Sequence, residues 1–224
     1  MRTKRPLYAA GIVLLVIFFG FLTYHYIFVD RTASAMTAIT KTLEPFEVKA
    51  ASAAAEAPKP PEYYGAKRAE IALQEYRKNV IEVPRGCNCG VEIDKYTEGN
   101  PAQWCTMFAS WVAKEAGSPL IDERNGAWRF LNSRLFTEHL KIHGTFYSRE
   151  EIATNNIQPR VGDFIIFWRG NVEDNLGHID VVVNVTGDGR ADLVGGNIRD
   201  RVEFRGNFPY QDNYGFLGIG RPEK

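Results

Sequence analysis

The sequence has no excess of charge of either sign and no internal repeat. Lysine plus arginine and aspartate plus glutamate number 27 each, and no basic run occurs outside the extreme N-terminus. The positive field that attracts a polyanion is therefore missing, and we expect no nucleic-acid partner. The 224 residues, 45% of them hydrophobic, are enough for one domain with a core plus accessory segments.

The sequence also has few cysteines and histidines, three and four respectively. Cys87 and Cys89 are separated by one residue; in an exported domain they could be oxidised to each other, or one could pair elsewhere. Their local sequence supplies too few ligands for zinc. His139 and His143 would share a helix face, but no Glu-bearing metalloprotease pattern accompanies them, and we predict that both lie on the surface. We expect neither a metal nor a cofactor.

The N-terminal region has the pattern of a membrane anchor. Residues 1–6 are basic and residues 7–29 are apolar without a single charge, which predicts a transmembrane helix. The N-terminus would be cytoplasmic, and the rest of the chain would lie outside the cell membrane. The alternative is a signal peptide cleaved at Ala33-Ser34-Ala35, which would give a secreted protein. We prefer the anchor because the apolar part of a signal peptide is typically only about 7–15 residues long.

Residues 30–62 are rich in Ala, Thr, Glu, Lys and Pro and have no bulky apolar periodicity, so we predict an extracytoplasmic linker. The folded domain would then cover residues 63–224. It begins with an amphipathic helix over 64–80, followed by a loop that contains Cys87 and Cys89.

A second helix contains Cys105, and its start decides the environment of the thiol. Asn100, Pro101 and Gln103 resemble a capping sequence that would put Cys105 in the second turn. If the helix begins near Trp104 instead, the free amides of its first turn lie beside the sulfur and favour the thiolate.

The second half of the domain has the pattern of short strands separated by turns. The predicted strands lie in PRVGDFIIFW, GHIDVVVNV, ADLVGGN, RVEFR and GFLGIG. Helices followed by an antiparallel sheet predict an α+β fold.

The turn TGDGR limits which side chains of two neighbouring strands can meet. A turn at Gly187-Asp188 would place His178 opposite Asn197 and Asp180 opposite Gly195. A turn at Asp188-Gly189 would slip this pairing by two residues and keep the four on one face. Asn197 or Asp180 would then be close enough to hydrogen-bond the imidazole of His178.

A cysteine entering a helix, followed by a histidine and an asparagine on strands, is the layout of a papain-type nucleophilic site. Three blocks of the chain resemble the CHAP family of cysteine, histidine-dependent amidohydrolases and peptidases, which are papain-like. They are EVPRGCNCGVEIDKY with QWCTMFASWVAKEAG, then PRVGDFIIFW with GHIDVVV, then LVGGN.

The resemblance implies roles for individual residues. Cys105 would be the nucleophile, His178 the general base and then acid, and Asn197 the group that orients the imidazole. The oxyanion would lie near the Cys105 amide, aided by Gln103. Gly195 stands where many relatives have Glu. As a hypothesis, Asp180, which stands where relatives often have Gly, supplies the missing carboxylate from the neighbouring strand.

The resemblance and the predicted anchor together imply a membrane-anchored peptidoglycan hydrolase. The bond cut would be the N-acetylmuramoyl-L-alanine amide or a peptide bond of the stem or cross-bridge. Two other functions stay open, namely a non-catalytic wall-binding scaffold and a thiol acyltransferase. A regulatory protein partner, or the irregular segment between Ser118 and Ile157, could control the activity.

Overall fold

The computed structural model describes residues 60–170 and 176–222, which lie within one compact unit, Lys59–Lys224. The predicted N-terminus, the transmembrane helix over 7–29 and nearly all of the predicted linker lie outside the described residues. Within the described ranges, every helix is too short or too polar to cross a membrane. The last two residues assigned to the linker already belong to the first helix of the domain.

Five helices are present in the described part of the chain. They are α1 (Pro61–Arg77), α2 (Val91–Thr97), α3 (Cys105–Glu115), α4 (Ser133–Ile142) and α5 (Arg149–Asn155). Helix α1 starts three residues earlier than the periodicity predicts because Pro61 occupies its first position, where the missing amide hydrogen is not needed. It ends before Asn79, which has a positive φ of 54°.

Six antiparallel strands form one sheet in the order β1-β6-β2-β3-β4-β5. They are β1 (Phe146–Ser148), β2 (Phe164–Trp168), β3 (Gly177–Gly187), β4 (Arg190–Gly195), β5 (Glu203–Phe208) and β6 (Phe216–Gly220). The prediction of an α+β fold with an antiparallel sheet is confirmed, and each predicted segment contains a strand. Strand β1 was not predicted, because three residues are too few to show an alternating pattern.

The core lies on both faces of the sheet. Phe164 and Ile166 of β2 pack with residues of α1 to α4, whereas Ile165 and Phe167 pack with Ile152 of α5. Successive residues of a strand point to opposite faces, so β2 reads as an uninterrupted apolar run rather than an alternating one.

The β3–β4 hairpin combines the two registers that the sequence allows. Its turn is at Asp188-Gly189, with Gly187 opposite Arg190. Two irregularities, between Val182 and Asn184 and between Val185 and Gly187, then change the pairing along the ladder. As a result Asp180 lies opposite Gly195, which is the register expected for the other turn.

A buried carboxylate joins the first two helices. Glu75 of α1 is 1% exposed and accepts hydrogen bonds from the Tyr96 hydroxyl and from Lys78. Lys95 of α2 forms an ion pair with it at 2.7 Å. Burial would raise the pKa of Glu75, but these donors outweigh burial and lower it. The pair of helices is thereby fixed beside the start of α3.

Candidate active site

The thiol of Cys105 lies at the N-terminal end of a helix. Cys105 is the first residue of α3 and Trp104 is its N-cap, so the start near Trp104 is observed and the capping sequence at Asn100 is wrong. The residue is 8% exposed, and its Sγ lies 3.8 Å from the carbonyl oxygen of Gly177. Free amides and the positive end of the helix dipole therefore adjoin the sulfur.

Trp104 fixes the point at which the chain enters α3. Its indole is fully buried, stacks on Tyr96 with 5.5 Å between ring centroids, and donates from Nε1 to Glu82 at 2.8 Å. The other oxygen of Glu82 accepts the backbone amide of Asn88 at 2.8 Å. Trp104 is thus a core residue rather than part of an exposed substrate groove.

The loop around Asn88 is closed by a disulfide between Cys87 and Cys89. Of the two alternatives that the sequence allows, the structure has the one in which these cysteines pair with each other. The chain has three cysteines, all within the described ranges, and Cys105 is the free one.

His178 is positioned by a neighbour on its own strand. It is the second residue of β3 and 1% exposed, and its Nε2 lies 2.8 Å from Oδ1 of Asp180. Nε2 therefore donates to the carboxylate in the tautomer that this contact favours. Within the described residues, Nδ1 has no hydrogen-bond partner, so this nitrogen is available to a thiol or to a substrate.

The thiol and the imidazole influence each other's protonation. Burial would raise the pKa of Cys105, but the favourable interaction of its thiolate with the nearby His178 imidazole outweighs burial, and the net pKa is lowered. Burial also lowers the pKa of His178 below its ordinary value. A neutral imidazole at pH 7 can accept a proton from the thiol.

The Asp180 carboxylate occupies space that exists because residue 195 has no side chain. Asp180 is fully buried, and its second oxygen forms an ion pair with Arg205 of β5. A Cβ added to Gly195 would lie 1.8 Å from Oδ1 of Asp180 and 3.0 Å from Nε2 of His178. Gly195 and Asp180 therefore fit each other as a pair.

Asn197 does not extend the strand that carries Gly195. Strand β4 ends at Gly195, and Asn197 has a positive φ of 55°. Its Nδ2 donates to Oδ1 of Asn88 at 3.0 Å instead of to His178. The face-parity argument fails for Asn197 because it assumes a continuous strand. Gln103 is exposed, two residues before Cys105.

Sequence reasoning missed two supporting residues. Arg205 lies in a predicted strand, and its guanidinium packs 3.9 Å from the ring centroid of Phe208 while it pairs with Asp180. Glu82 is 1% exposed and links Trp104 to the disulfide loop. For the role of Arg205, the one sequence signal is a cation placed between aromatic residues in RVEFRGNF. No sequence signal indicates the role of Glu82.

A group of possible metal ligands lies elsewhere in the fold. The prediction that His139 lies on the surface is wrong, because it is 8% exposed and packs against Phe130; His143 is exposed as predicted. Both imidazoles meet the carboxylate of Glu123. The sequence could not show this, because Glu123 lies on a separate loop.

A free thiol at a helix N-terminus, beside an imidazole held by a carboxylate, is the arrangement of cysteine-dependent acyl-transfer enzymes. The CHAP domain family model matches residues 96–197, a range that includes Cys105, His178, Asp180 and Gly195. The resemblance stated from the sequence motifs is confirmed over this range. Neither a curated protein nor a solved structure gives a significant match.

Proposed function

We propose that this domain hydrolyses an amide bond of peptidoglycan with Cys105 as nucleophile, His178 as general base and acid, and Asp180 as the residue that orients His178. A CHAP domain supports a function of the peptidoglycan amidase or peptidase type. The observation that carries the residue roles is the 2.8 Å contact between Asp180 and His178 beside a thiol with a lowered pKa.

The reaction follows from the order of these groups. Nδ1 of His178 takes the thiol proton, and the sulfur of Cys105 bonds to the amide carbon. The carbon–nitrogen bond then breaks, and His178 returns the proton to the departing amine. Water next attacks the thioester while His178 accepts its proton, and the acid is released as the free thiol re-forms. Asp180 stabilises the imidazolium that forms twice in this cycle.

The negative charge on the carbonyl oxygen needs donors near the thiol. The backbone amide of Cys105 is at the first position of α3, where it has no partner within the helix. Gln103 is exposed beside it and can add a side-chain donor when substrate binds. Asn197 is held by Asn88, so we assign it a role in positioning the disulfide loop rather than the imidazole.

The substrate and the location of the protein remain proposals that rest on sequence. The apolar residues 7–29 would anchor the domain outside the cell membrane, within reach of the wall. The disulfide between Cys87 and Cys89 supports this placement, because disulfides persist in oxidising compartments. Both candidate bonds are amides, so the same groups serve either one.

The test is digestion of purified peptidoglycan by the full-length protein, kept in mild detergent, with products identified by mass spectrometry. Cys105→Ala should abolish product release, and Asp180→Asn should reduce kcat by about 10²–10⁴-fold. Asp192→Asn is the matched control, because Asp192 lies on β4 and bonds Asn184 and Asn207 outside the site.

The product masses discriminate between the alternatives. Fragments smaller than the substrate that depend on Cys105 support the hydrolase, and their masses identify the bond. Products enlarged by a transferred acyl group would indicate an acyltransferase. Equal release by the wild type and by folded Cys105→Ala, or no release by either from several wall types, would overturn the proposal.

A further inference from the structure

A carboxylate and two imidazoles meet at the C-terminal end of α4. The Glu123 carboxylate lies 3.3 Å from Nδ1 of His139 and 2.6 Å from Nε2 of His143. The three potential ligand atoms all lie within 4.8 Å of one another. This cluster takes no part in the chemistry proposed for Cys105.

The two histidines are positioned by the helix itself. His139 lies in the last turn of α4 and His143 is its C-cap residue four positions on, so the two rings lie on the same side, with 4.4 Å between their centroids. His139 is 8% exposed and packs against Phe130, so its ring is held in the direction of Glu123. His143 is exposed and can adjust its ring.

The backbone of Glu123 is fixed by a turn. The carbonyl oxygen of the preceding residue, Asp122, accepts the amides of Asn125 and Gly126, and the Asp122 amide donates to Ala127. The buried Asp122 side chain also accepts the amide of Arg124. The carboxylate of Glu123 is therefore presented to the helix by a fixed loop.

We propose that Glu123, His139 and His143 form a Zn²⁺-binding site. Two imidazole nitrogens and one carboxylate oxygen are a ligand set that Zn²⁺ accepts, with a fourth position left for water. Bonds of about 2.0–2.2 Å in a tetrahedral site place neighbouring ligand atoms roughly 3.3–3.5 Å apart. The separation between Glu123 and His139 is already 3.3 Å, and the exposed His143 ring is free to turn toward the third ligand position.

The charge of the cluster also suits a cation. Glu123 brings a carboxylate between two imidazoles, and both kinds of group are ligands of divalent cations. A plain hydrogen-bonding role explains one histidine beside this carboxylate. It does not by itself account for two imidazoles, one from the last turn of α4 and one from its C-cap, that face the same carboxylate.

The bound ion would join the 122–127 turn to α4. The other end of this helix reaches the active-site strand, because a Cβ on Gly177 would lie 1.9 Å from Oγ of Ser133. The two ends of α4 are about 15 Å apart along its axis, at about 1.5 Å per residue. The zinc ion is thus a structural clip on the segment that supports β3 rather than a participant in the reaction.

The test is Zn²⁺ titration of the full-length, untagged protein by calorimetry, in a Cys105→Ser background so that the active-site thiolate does not bind the metal. One equivalent should bind, and Co²⁺ should give the visible absorption of a four- or five-coordinate site. His143→Ala and Glu123→Gln should each weaken binding by more than about 100-fold, since even outer-shell partners contribute about 10- to 100-fold.

Glu138→Gln is the matched control, because Glu138 lies on the same helix and pairs with Arg134. It should bind Zn²⁺ like the parent protein, and the parent and this control should both gain thermal stability with Zn²⁺ while His143→Ala does not. Failure of the folded parent to bind, or equal binding by the His143→Ala and Glu123→Gln variants, would overturn the proposal. Neither result depends on whether the protein cleaves peptidoglycan.

Discussion

Replacing Gly195 with alanine should disable the imidazole without removing any reacting group. The new Cβ would lie 1.8 Å from Oδ1 of Asp180, whereas ordinary contact needs about 3.4 Å or more. The carboxylate must therefore retreat by more than an ångström, which breaks its 2.8 Å contact with Nε2 of His178. Asp180 is fully buried, so the displaced carboxylate has no solvent to move into.

The size of the effect follows from the two interactions that the movement disturbs. Overpacking of a well-filled site costs about 1–3 kcal/mol, and a hydrogen bond to a charged group contributes about 1.5–3 kcal/mol. We expect Gly195→Ala to lower the free energy of unfolding by about 2–4 kcal/mol. We expect its kcat to fall to the level of Asp180→Ala, because both variants leave His178 without its carboxylate.

The assay combines denaturant unfolding with peptidoglycan digestion, where kcat is measured on folded protein. Gly187→Ala is the matched control: Gly187 lies on β3 in the same hairpin, and a Cβ there meets nothing within 4 Å. This control should retain wild-type stability and activity within a factor of about two.

The double variant Asp180→Ala/Gly195→Ala separates the steric effect from the catalytic one. Once Asp180 is shortened, the overlap with its carboxylate is gone and the alanine at 195 keeps only the 3.0 Å contact with Nε2 of His178, so the two losses of stability should be clearly less than additive. The second substitution should also leave the already reduced kcat nearly unchanged. Additive losses, or a Gly195→Ala variant that keeps wild-type activity, would refute the reasoning that Asp180 acts in the space left by Gly195.

Three further predictions concern the thiol, the helix pair and the asparagine. The lowered pKa of Cys105 predicts that its alkylation by a small neutral reagent reaches half its maximal rate at a lower pH than that of an unperturbed cysteine thiol; His178→Ala should raise that midpoint, and an unchanged midpoint would contradict the interaction. Glu75→Gln should destabilise the protein by about 2 kcal/mol at neutral pH. Because the folded-state pKa of Glu75 is lowered, this stability is present above its unfolded pKa of about 4.3 and lost as the pH falls through the folded value, so melting curves of wild type and variant should converge in acid. Asn197→Ala should reduce kcat/KM by less than about tenfold, against about 10²–10⁴-fold for Asp180→Asn; the reverse ranking in the digestion assay would make Asn197 the orienting residue.

The fold class could be read from the sequence because the strand segments carry a local signal. The run FIIFW is apolar and β-branched between turn residues, and β2 covers it from Phe164 to Trp168. The irregularities between Val182 and Gly187 have no such signal, because they arise from pairing with another strand. Their effect is large, since they bring Asp180 opposite Gly195 although the turn alone would have paired Asp180 with Asn197.

The candidate site likewise contains residues that the sequence predicts and residues whose role depends on how the strands pair. Cys105, His178 and Asp180 could be proposed from their order and from the parity of β3. Arg205 could not, because its pairing with Asp180 depends on β5 lying beside β4. The capping sequence at Asn100 was misleading because a local preference of about 1 kcal/mol is weaker than burial of Trp104 against Tyr96 and Glu82.

The pairing of residues 180 and 195 shows how one imidazole can be held by a carboxylate from either of two strands. Residues 180 and 195 face each other across β3 and β4. A Cβ on residue 195 would lie only 3.0 Å from Nε2 of His178. A carboxylate on residue 195, which the resemblance to the CHAP motifs implies for many relatives, would therefore approach the nitrogen that Asp180 now binds. The two solutions exclude each other, because any side chain at 195 overlaps Oδ1 of Asp180. Aspartate at 180 should thus occur with glycine at 195, and relatives that combine aspartate at 180 with glutamate at 195 in active enzymes would contradict this rule.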